Sequence, residues 1–260
     1  MLNILLTNDD GIFSEGLDFL YKAFKNISLN GEEIKVTVVA PSQEQSGASH
    51  SITLNRPLRI SRVDEDKYAI DGTPVDCILF GISEILKKIP HVIVSGINRG
   101  ANLGDDTIYS GTVAAAREGS MYGVPSFAFS LELSEEMNFK DAAENSVKIL
   151  SKFLKKPLLP SGFFLNVNIP SKEIKGIKVT RLSRKFSNPF DSDKPLIYGN
   201  NDPRGKKYYW IGLDNSLWDE TEDTDFYALT HGYITITPLH RDQTSYNLIE
   251  ALKKEFEIGE

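Results

Sequence analysis

Short apolar runs alternate with amphipathic segments along most of the chain, and this alternation predicts an α/β fold with a mostly parallel sheet. Unbroken apolar runs of this length are typical of strands that are buried on both faces of such a sheet. Apolar positions at helical spacing follow several of these runs, as expected for strand–helix–strand units. The predicted strands are the run that begins at Leu2 and residues 35–40, 91–95, 125–130, 163–169 and 233–237, with a hairpin in 54–70; the predicted helices cover 17–27, 74–88, 139–155, 224–230 and 246–256.

The pattern changes after about Ile177. Residues 183–207 are polar and contain Asn-Pro and Asp-Pro turn signals, and residues 213–223 are acidic and polar. An aromatic strand, residues 208–211, lies between them. We therefore predict one domain over residues 1–260, with an arm at about 177–223 that protrudes from it as a β-rich C-terminal extension.

Length and composition narrow the class of protein. The chain has 260 residues, 40% of them hydrophobic and 25% charged, which is typical of one large globular domain. Its net charge of −7 argues against binding to a nucleic-acid polymer. The single cysteine, Cys77, allows no intrachain disulfide, and the sequence shows neither a signal peptide nor an apolar run of about 20 residues that could span a membrane. We expect a cytoplasmic protein without a membrane partner.

The first predicted strand ends in Asn8, Asp9, Asp10 and Gly11. Two adjacent carboxylates repel each other unless a cation lies between them. Successive side chains of a strand point to opposite faces, so both can reach one ion only if the backbone turns, which Gly11 permits. The alternative is a polar turn in which the aspartates form no site. This stretch alone does not decide between the two.

Polar clusters also follow the second and third core strands, and in a parallel sheet all three clusters would lie at one edge. Residues 46–47 are Ser-Gly, and residues 98–106 hold two asparagines and two aspartates. Oxygen ligands of this kind suit hard divalent ions such as Mg²⁺, Mn²⁺ or Ca²⁺. Ser110 can cap a helix whose first turn holds Gly111 and Thr112, which is either a phosphate site or an ordinary capped helix.

Several motifs together resemble the SurE family of metal-dependent 5′-nucleotidases, also called stationary-phase survival proteins. They are Leu6-Thr7-Asn8-Asp9-Asp10-Gly11, Ser46-Gly47, Gly72-Thr73-Pro74, Ser95-Gly96-Ile97-Asn98, Asn102-Leu103-Gly104, Tyr109-Ser110-Gly111-Thr112-Val113 and Thr237-Pro238-Leu239. The resemblance implies a Rossmann-like three-layer core and one divalent metal ion per subunit. It places the metal ligands at Asp9, Asp10, Ser46 and Asn98, and the phosphate-lining residues at Asn8, Asn102, Ser110, Gly111 and Thr112.

The leading hypothesis is a phosphomonoesterase acting on nucleoside 5′-monophosphates, with 3′-nucleotides or short polyphosphate as further substrates. Asp9, Asn8 and Ser110 form the predicted catalytic set, and Asp9 either activates the attacking water or only binds the metal. His50, although near Ser46, is left out of this set. One rival is a phosphatase of the haloacid dehalogenase type, which needs two aspartates separated by one residue. Another is a nucleotide sensor that binds without turnover.

The predicted arm contains both tryptophans of the chain, Trp210 and Trp218, beside Tyr208 and Tyr209. So small a unit can bury few large side chains by itself. The aromatic residues therefore either contact a partner subunit or pack back on the core of their own chain. The resemblance favours the former, because it implies a homodimer or homotetramer that exchanges C-terminal elements.

Overall fold

The computed structural model of this protein describes residues 1–25, 27–29, 31–156, 160–186, 197–211 and 217–257. The helices are α1 (Glu15–Lys25), α2 (Pro74–Phe80), α3 (Gly111–Met121), α4 (Phe139–Lys155), α5 (Asp225–Thr230) and α6 (Tyr246–Phe256). The strands are β1 (Leu2–Thr7), β2 (Ser28–Leu29), β3 (Glu32–Pro41), β4 (Ile60–Asp64), β5 (Lys67–Ile70), β6 (Val92–Arg99), β7 (Ser126–Leu131), β8 (Phe163–Ile169), β9 (Gly176–Val179), β10 (Lys185–Phe186), β11 (Ile197–Asn201), β12 (Lys207–Ile211), β13 (Leu217–Trp218) and β14 (Tyr233–His240).

One large sheet forms the centre of the molecule, with the strand order β4-β5-β3-β1-β6-β7-β8-β14-β9. The six neighbouring strands from β5 to β8 are all parallel, whereas β4 is antiparallel to β5 and β14 is antiparallel to β8. Helices cover both faces of this sheet. The expectation of an α/β fold with a mostly parallel sheet is confirmed.

Strand β1 shows how the layers form. Leu6 packs into a cluster with α1 and α4 on one face, while Leu5 packs into a cluster with α2 on the other face. Both leucines are fully buried, because a central strand of a three-layer fold has no solvent-facing side. The apolar run at the start of the sequence therefore reflects burial on two faces.

Two predicted boundaries differ from the structure. The helix predicted for residues 74–88 is α-helical only to Phe80 and continues as a π-helical turn, Gly81–Leu86. The predicted strand 91–95 extends as β6 to Arg99, and so includes Asn98, which we expected in the following loop. Gly96 permits this extension, because a Cβ there would lie 2.3 Å from the carbonyl oxygen of Phe129 on β7.

The C-terminal extension leaves the sheet at its edge. The first residues of the predicted arm belong to β9, which pairs in parallel with β14 in the central sheet. Beyond it, β10 pairs with β13, and β11 pairs with β12 in a hairpin whose strand residues are all exposed. Helix α6, described in full, has no buried residue. In the part of the chain that the structure describes, no helix is both long and apolar enough to cross a membrane.

Candidate functional site at the edge of the sheet

The three polar clusters lie at the carboxyl ends of β3, β1 and β6, which are neighbours in the sheet. The strands run in parallel, so their carboxyl ends meet at one edge, as the sequence predicts. The backbone bends at Asp9 and Asp10, and Gly11 has a φ of 99°, which only glycine adopts readily. This bend brings the two carboxylates close enough for the charge of Asp9 to affect Asp10.

Asp9 is buried, with 4% of its surface exposed, and it faces the N-terminus of α3. The backbone N–H of Thr112 donates to its Oδ2 at 2.9 Å, and the Thr112 hydroxyl donates to its Oδ1. Gly111 lies against it, because a Cβ at Gly111 would be 2.9 Å from the Cβ of Asp9. Burial raises the pKa of Asp9, and the hydrogen bonds from Thr112 oppose that rise. The carboxylate thus lies where a helix N-terminus favours an anion.

Asp10 points toward a cleft of about 530 Å³ between the β1 edge and helices α1 and α4, which it lines with Glu44 and Arg99. The backbone N–H of Arg99 donates to its Oδ2 at 3.2 Å. Burial, with the charge of Asp9 as the next cause, raises the pKa of Asp10 to about 6. The two aspartates therefore form a site in which negative charge is poorly compensated by the protein.

Asn8 is fully buried beside them. Its Nδ2 donates to the carbonyl oxygen of Gly11 at 2.9 Å and to Oγ of Ser14 at 2.6 Å. Its Oδ1 is buried and has no hydrogen-bond partner among the described residues. An amide oxygen left in this state needs a water molecule or a ligand to complete its hydrogen bonding.

The Ser46 loop, residues 46–51, follows β3 at the same edge. The N–H of Gln45 donates to the carbonyl oxygen of Asp9 at 2.7 Å, which ties the start of this loop to the end of β1. The hydroxyl of Ser46 donates to Glu44 at 2.8 Å. The backbone of Ser46 therefore lies close to that of Asp9 in space, whereas the side chain of Ser46 is hydrogen-bonded to the nearby Glu44.

Asn98 and Asn102 differ in how they are held. Asn98 is the last residue but one of β6 and donates from Nδ2 to the carbonyl oxygen of Gly100 at 2.7 Å. Asn102 is buried, and its N–H donates to Oδ1 of Asn168 at 2.8 Å. The amides of Asn166 and Asn168 both donate to its carbonyl oxygen. Strand β8 thus fixes the backbone of the loop that leads to α3.

The start of α3 is a capped helix. Oγ of Ser110 accepts a hydrogen bond from the N–H of Val113 at 3.1 Å. Thr112 uses both its N–H and its hydroxyl on Asp9, so its contact in this structure is with the carboxylate. The assignment of Ser110, Gly111 and Thr112 to a phosphate stays a prediction.

The donor set at this edge fits a hard divalent cation. Among the residues that the structure describes, no group of three or more His, Cys, Asp or Glu side chains could hold a metal. What the edge offers instead is two neighbouring carboxylates, an unsatisfied amide oxygen on Asn8, and the oxygens of Ser46 and Asn98. Oxygen ligands with two negative charges suit Mg²⁺ or Mn²⁺, which retain several waters.

Sequence reasoning missed the residues that support the site. Asn166 and Asn168 lie at alternate positions of a buried strand, so they share one face, and amides in such a run are a usable signal. Asp225 is fully buried and accepts from the N–H groups of Gly104 and Ser183 at 2.9 and 2.8 Å. Its long sequence separation from Gly104 gives no local pattern that predicts the contact.

Comparison with known proteins agrees with this architecture. The sequence model of the family described as Survival protein SurE matches residues 4–189. The chain belongs to the SurE family. A protein from Geotalea daltonii named 5′-nucleotidase SurE is 41% identical over 254 residues, which cover 97% of this chain and 98% of that protein. One of the same name from Aquifex aeolicus is 42% identical over 258 residues, which cover 97% and 98%.

A solved structure supports the same conclusion for the fold. The crystal structure of the SurE protein from Aquifex aeolicus matches with a TM-score of 0.81 at 40% identity, and the match covers 97% of this chain and 99% of that one. The SurE resemblance and the fold class predicted from the sequence are therefore both confirmed. The match extends over the C-terminal extension as well as the core.

Proposed function

We propose that this chain is a metal-dependent 5′-nucleotidase that hydrolyses nucleoside 5′-monophosphates to nucleoside and phosphate. The observation that carries the proposal is the pair Asp9 and Asp10, two adjacent carboxylates at the end of the central strand whose pKa values are both raised by burial. Such a pair stays ionised at neutral pH when a cation balances its charge. Relatives that are 41–43% identical over nearly their whole length are named 5′-nucleotidase SurE, which supports the same activity.

We assign Asp9, Asp10, Ser46 and Asn98 as the residues that hold one divalent ion per subunit, Mg²⁺ or Mn²⁺. Such an ion would withdraw charge from a phosphoryl oxygen and lower the pKa of a water molecule. Thr112 fixes the carboxylate of Asp9 through two hydrogen bonds. The hydroxyl of Ser46 must turn away from Glu44 to reach the ion, which is a rotation about one side-chain bond.

The remaining residues of the site are assigned to the phosphate and to the attacking water. The hydroxyl of Ser110 can donate to a phosphate oxygen while its Oγ still accepts from Val113. We assign Asn102 and the first turn of α3, Gly111 and Thr112, to the same phosphate. The free oxygen of Asn8 can accept a hydrogen bond from a water and so orient it. Asp9 is the proposed group that activates this water.

Phosphate release from a panel of nucleoside 5′-monophosphates, with Mn²⁺ and with EDTA, tests this activity. We expect release with Mn²⁺, loss of release in EDTA, and loss in Asp9→Asn. Glu220→Gln, which removes an exposed carboxylate of the extension, is the matched control and should behave as the wild type. Nucleotide binding without any phosphate release would contradict the proposal and indicate a sensor. Adding 3′-nucleotides and short polyphosphate to the panel tests the broader substrate range that we propose.

A phosphatase of the haloacid dehalogenase type fits the structure poorly. That chemistry needs two aspartates separated by one residue, with one of them as a covalent nucleophile. Here Asp9 and Asp10 are adjacent, and both oxygens of Asp9 accept hydrogen bonds from Thr112. We therefore favour direct attack by water.

We also propose that the protein works in the cytoplasm as a homodimer or homotetramer. In the β11–β12 hairpin, Tyr209 and Trp210 are 64% and 70% exposed. Tyr246, Leu252 and Phe256 of α6 are exposed as well. Large apolar side chains in this state are typical of a surface that a partner covers. Trp218 differs, because it stacks on Phe226 of its own chain at 4.9 Å.

A further inference from the structure

The Ser46 loop has few backbone anchors of its own. Apart from the bond at Gln45, Ser49 connects it to the segment before α3: its N–H donates to the carbonyl oxygen of Tyr109 at 3.0 Å, and its hydroxyl donates to that of Ile108 at 2.7 Å. At the end of the loop, the hydroxyl of Thr73 donates to the carbonyl oxygen of Ser51 at 2.7 Å. Gly47 and Ser49 have φ values of 75° and 55°, in the left-handed region. In a loop with so few backbone hydrogen bonds, side chains that contact other elements help to set its position.

One such side chain is His50. Its Nε2 lies 2.8 Å from Oε2 of Glu118, with 24% of the His50 side chain and 9% of the Glu118 side chain exposed. Glu118 lies on α3, and Tyr122, one turn further on, forms a hydrogen bond with it. A carboxylate this buried needs donors, and among the described residues His50 is its one basic partner. We therefore expect the contact between His50 and Glu118 to be stable.

The same helix holds both sides of the proposed metal site. At its N-terminus, Thr112 fixes Asp9; six residues further on, Glu118 fixes His50 and through it the Ser46 loop. A single α-helix is a rigid spacer between these two points. Helix α3 therefore links Asp9 to the far end of the Ser46 loop, while at the near end the N–H of Gln45 is bonded directly to the carbonyl oxygen of Asp9.

We propose that His50 and Glu118 are positioning residues that hold the Ser46 loop against α3 and thereby set the affinity of the site for its divalent ion. This inference rests on the proposed function, because it takes Ser46 as a metal ligand. Neither residue is among the assigned metal ligands. Their effect on the ion passes through the position of the loop, so we expect a loss near the lower end of the range of about 10–100-fold that is typical of partners hydrogen-bonded to a ligand.

The test measures Mn²⁺ binding by calorimetry with the metal alone, and thermal melting in EDTA. We expect His50→Leu to weaken Mn²⁺ affinity about 10-fold or more. His50→Gln, whose amide can still donate to Glu118, should recover much of that loss. Glu118→Met should match His50→Leu, and the double variant should be no worse than either single one, because both remove the same contact. His231→Gln, which changes an exposed histidine at the C-terminus of α5, is the matched control.

Three outcomes would overturn the inference. One is that His50→Leu melts at a lower temperature than the wild type in EDTA while its Mn²⁺ affinity stays within twofold of the wild-type value. The contact would then stabilise the fold and have no effect on the metal site. Another is unchanged Mn²⁺ affinity with loss of nucleotide hydrolysis but retained hydrolysis of p-nitrophenyl phosphate, which would make His50 an acid for the leaving group. The third is additive effects in the double variant.

Ser46→Ala separates this inference from the proposed function. If Ser46→Ala weakens Mn²⁺ binding and His50→Leu does not, the metal site stands and the positioning role is wrong. If neither Ser46→Ala nor Asp10→Asn changes Mn²⁺ binding, the metal assignment fails and the positioning role fails with it.

Discussion

The site at the edge of the sheet buries polar side chains, whereas the C-terminal extension exposes large apolar ones. At the site, polar side chains such as Asn8, Asp9 and Thr112 are buried. In the extension, large side chains such as Tyr209 and Trp210 are exposed. A buried polar atom without a partner, such as Oδ1 of Asn8, and an exposed apolar patch are both unfavourable unless something outside the single chain completes them. The contrast matches the two proposals: an ion and a polar ligand would complete the site, whereas an apolar surface of a partner would cover the extension.

Asp10→Asn should have the largest effect. It removes one of two negative charges from the site, and a direct ligand should matter at least as much as an outer partner, so we expect activity at low metal concentration to fall about 100-fold or more. Folding should be retained, because burial disfavours the Asp10 charge in the absence of a cation. Hydrolysis rates as a function of Mn²⁺ concentration measure this. Wild-type activity at low Mn²⁺ would remove Asp10 from the ligand set.

Gly111→Ala should come next. The added methyl group would lie 2.9 Å from Cβ and 3.0 Å from Oδ2 of Asp9, so Asp9 or α3 must move. We expect a loss of about 1–3 kcal/mol in the free energy of unfolding. Activity should fall further than stability predicts. Ala115→Gly, in the same helix, lowers stability without displacing Asp9 and serves as the control; equal activity in the two variants would contradict the steric argument.

Ser110→Ala tests whether the cap also binds phosphate. Losing the cap should reduce the free energy of unfolding by about 0.5–2 kcal/mol. If the hydroxyl donates to phosphate as well, kcat/KM should fall by a larger free energy than stability does. Chemical denaturation and steady-state kinetics on one preparation give both numbers. A stability loss with unchanged hydrolysis would restrict Ser110 to capping.

The double substitution Tyr209→Ser with Trp210→Ser should have the smallest effect on a folded subunit. Both side chains are largely exposed, so stability should change by about 0.5 kcal/mol or less. Association should weaken, and light scattering across micromolar concentrations would show it. Lys206→Ser, a polar change near the same hairpin, is the control. An unchanged assembly would place the contact elsewhere, for example at α6.

Local signals made the polar edge of the sheet predictable from the sequence. The apolar run before Asn8, the paired aspartates and the capped start at Ser110 each depend on neighbours in the chain. Because β3, β1 and β6 are parallel neighbours in the sheet, the three clusters then meet at one edge. The extension of β6 to Arg99 was missed, because glycine and asparagine suggest a loop when their close approach to β7 is not visible.

Contacts between distant segments could not be predicted. Asn166 and Asn168 reach Asn102 across more than sixty positions, and Asp225 reaches Gly104 across 121. No periodicity links such pairs. The two tryptophans also look alike in the sequence, although Trp218 stacks on its own chain and Trp210 is exposed. Trp218 is partly covered because it stacks on Phe226, and nothing in the sequence pattern links Phe226 to either tryptophan.

The hydrogen bonds between Asn102 and strand β8 have a consequence for hydrogen exchange. Asn102 lies in a loop, but its amide proton is bonded to a buried side chain of the central sheet. Its exchange with solvent therefore requires β8 to separate from that loop, an opening that involves the core. The amide of Ala48, in the Ser46 loop, is bonded only to Gln45 within the same turn. Two loops at one edge should thus exchange at very different rates, the first at a rate typical of a core strand and the second at a rate typical of a surface turn.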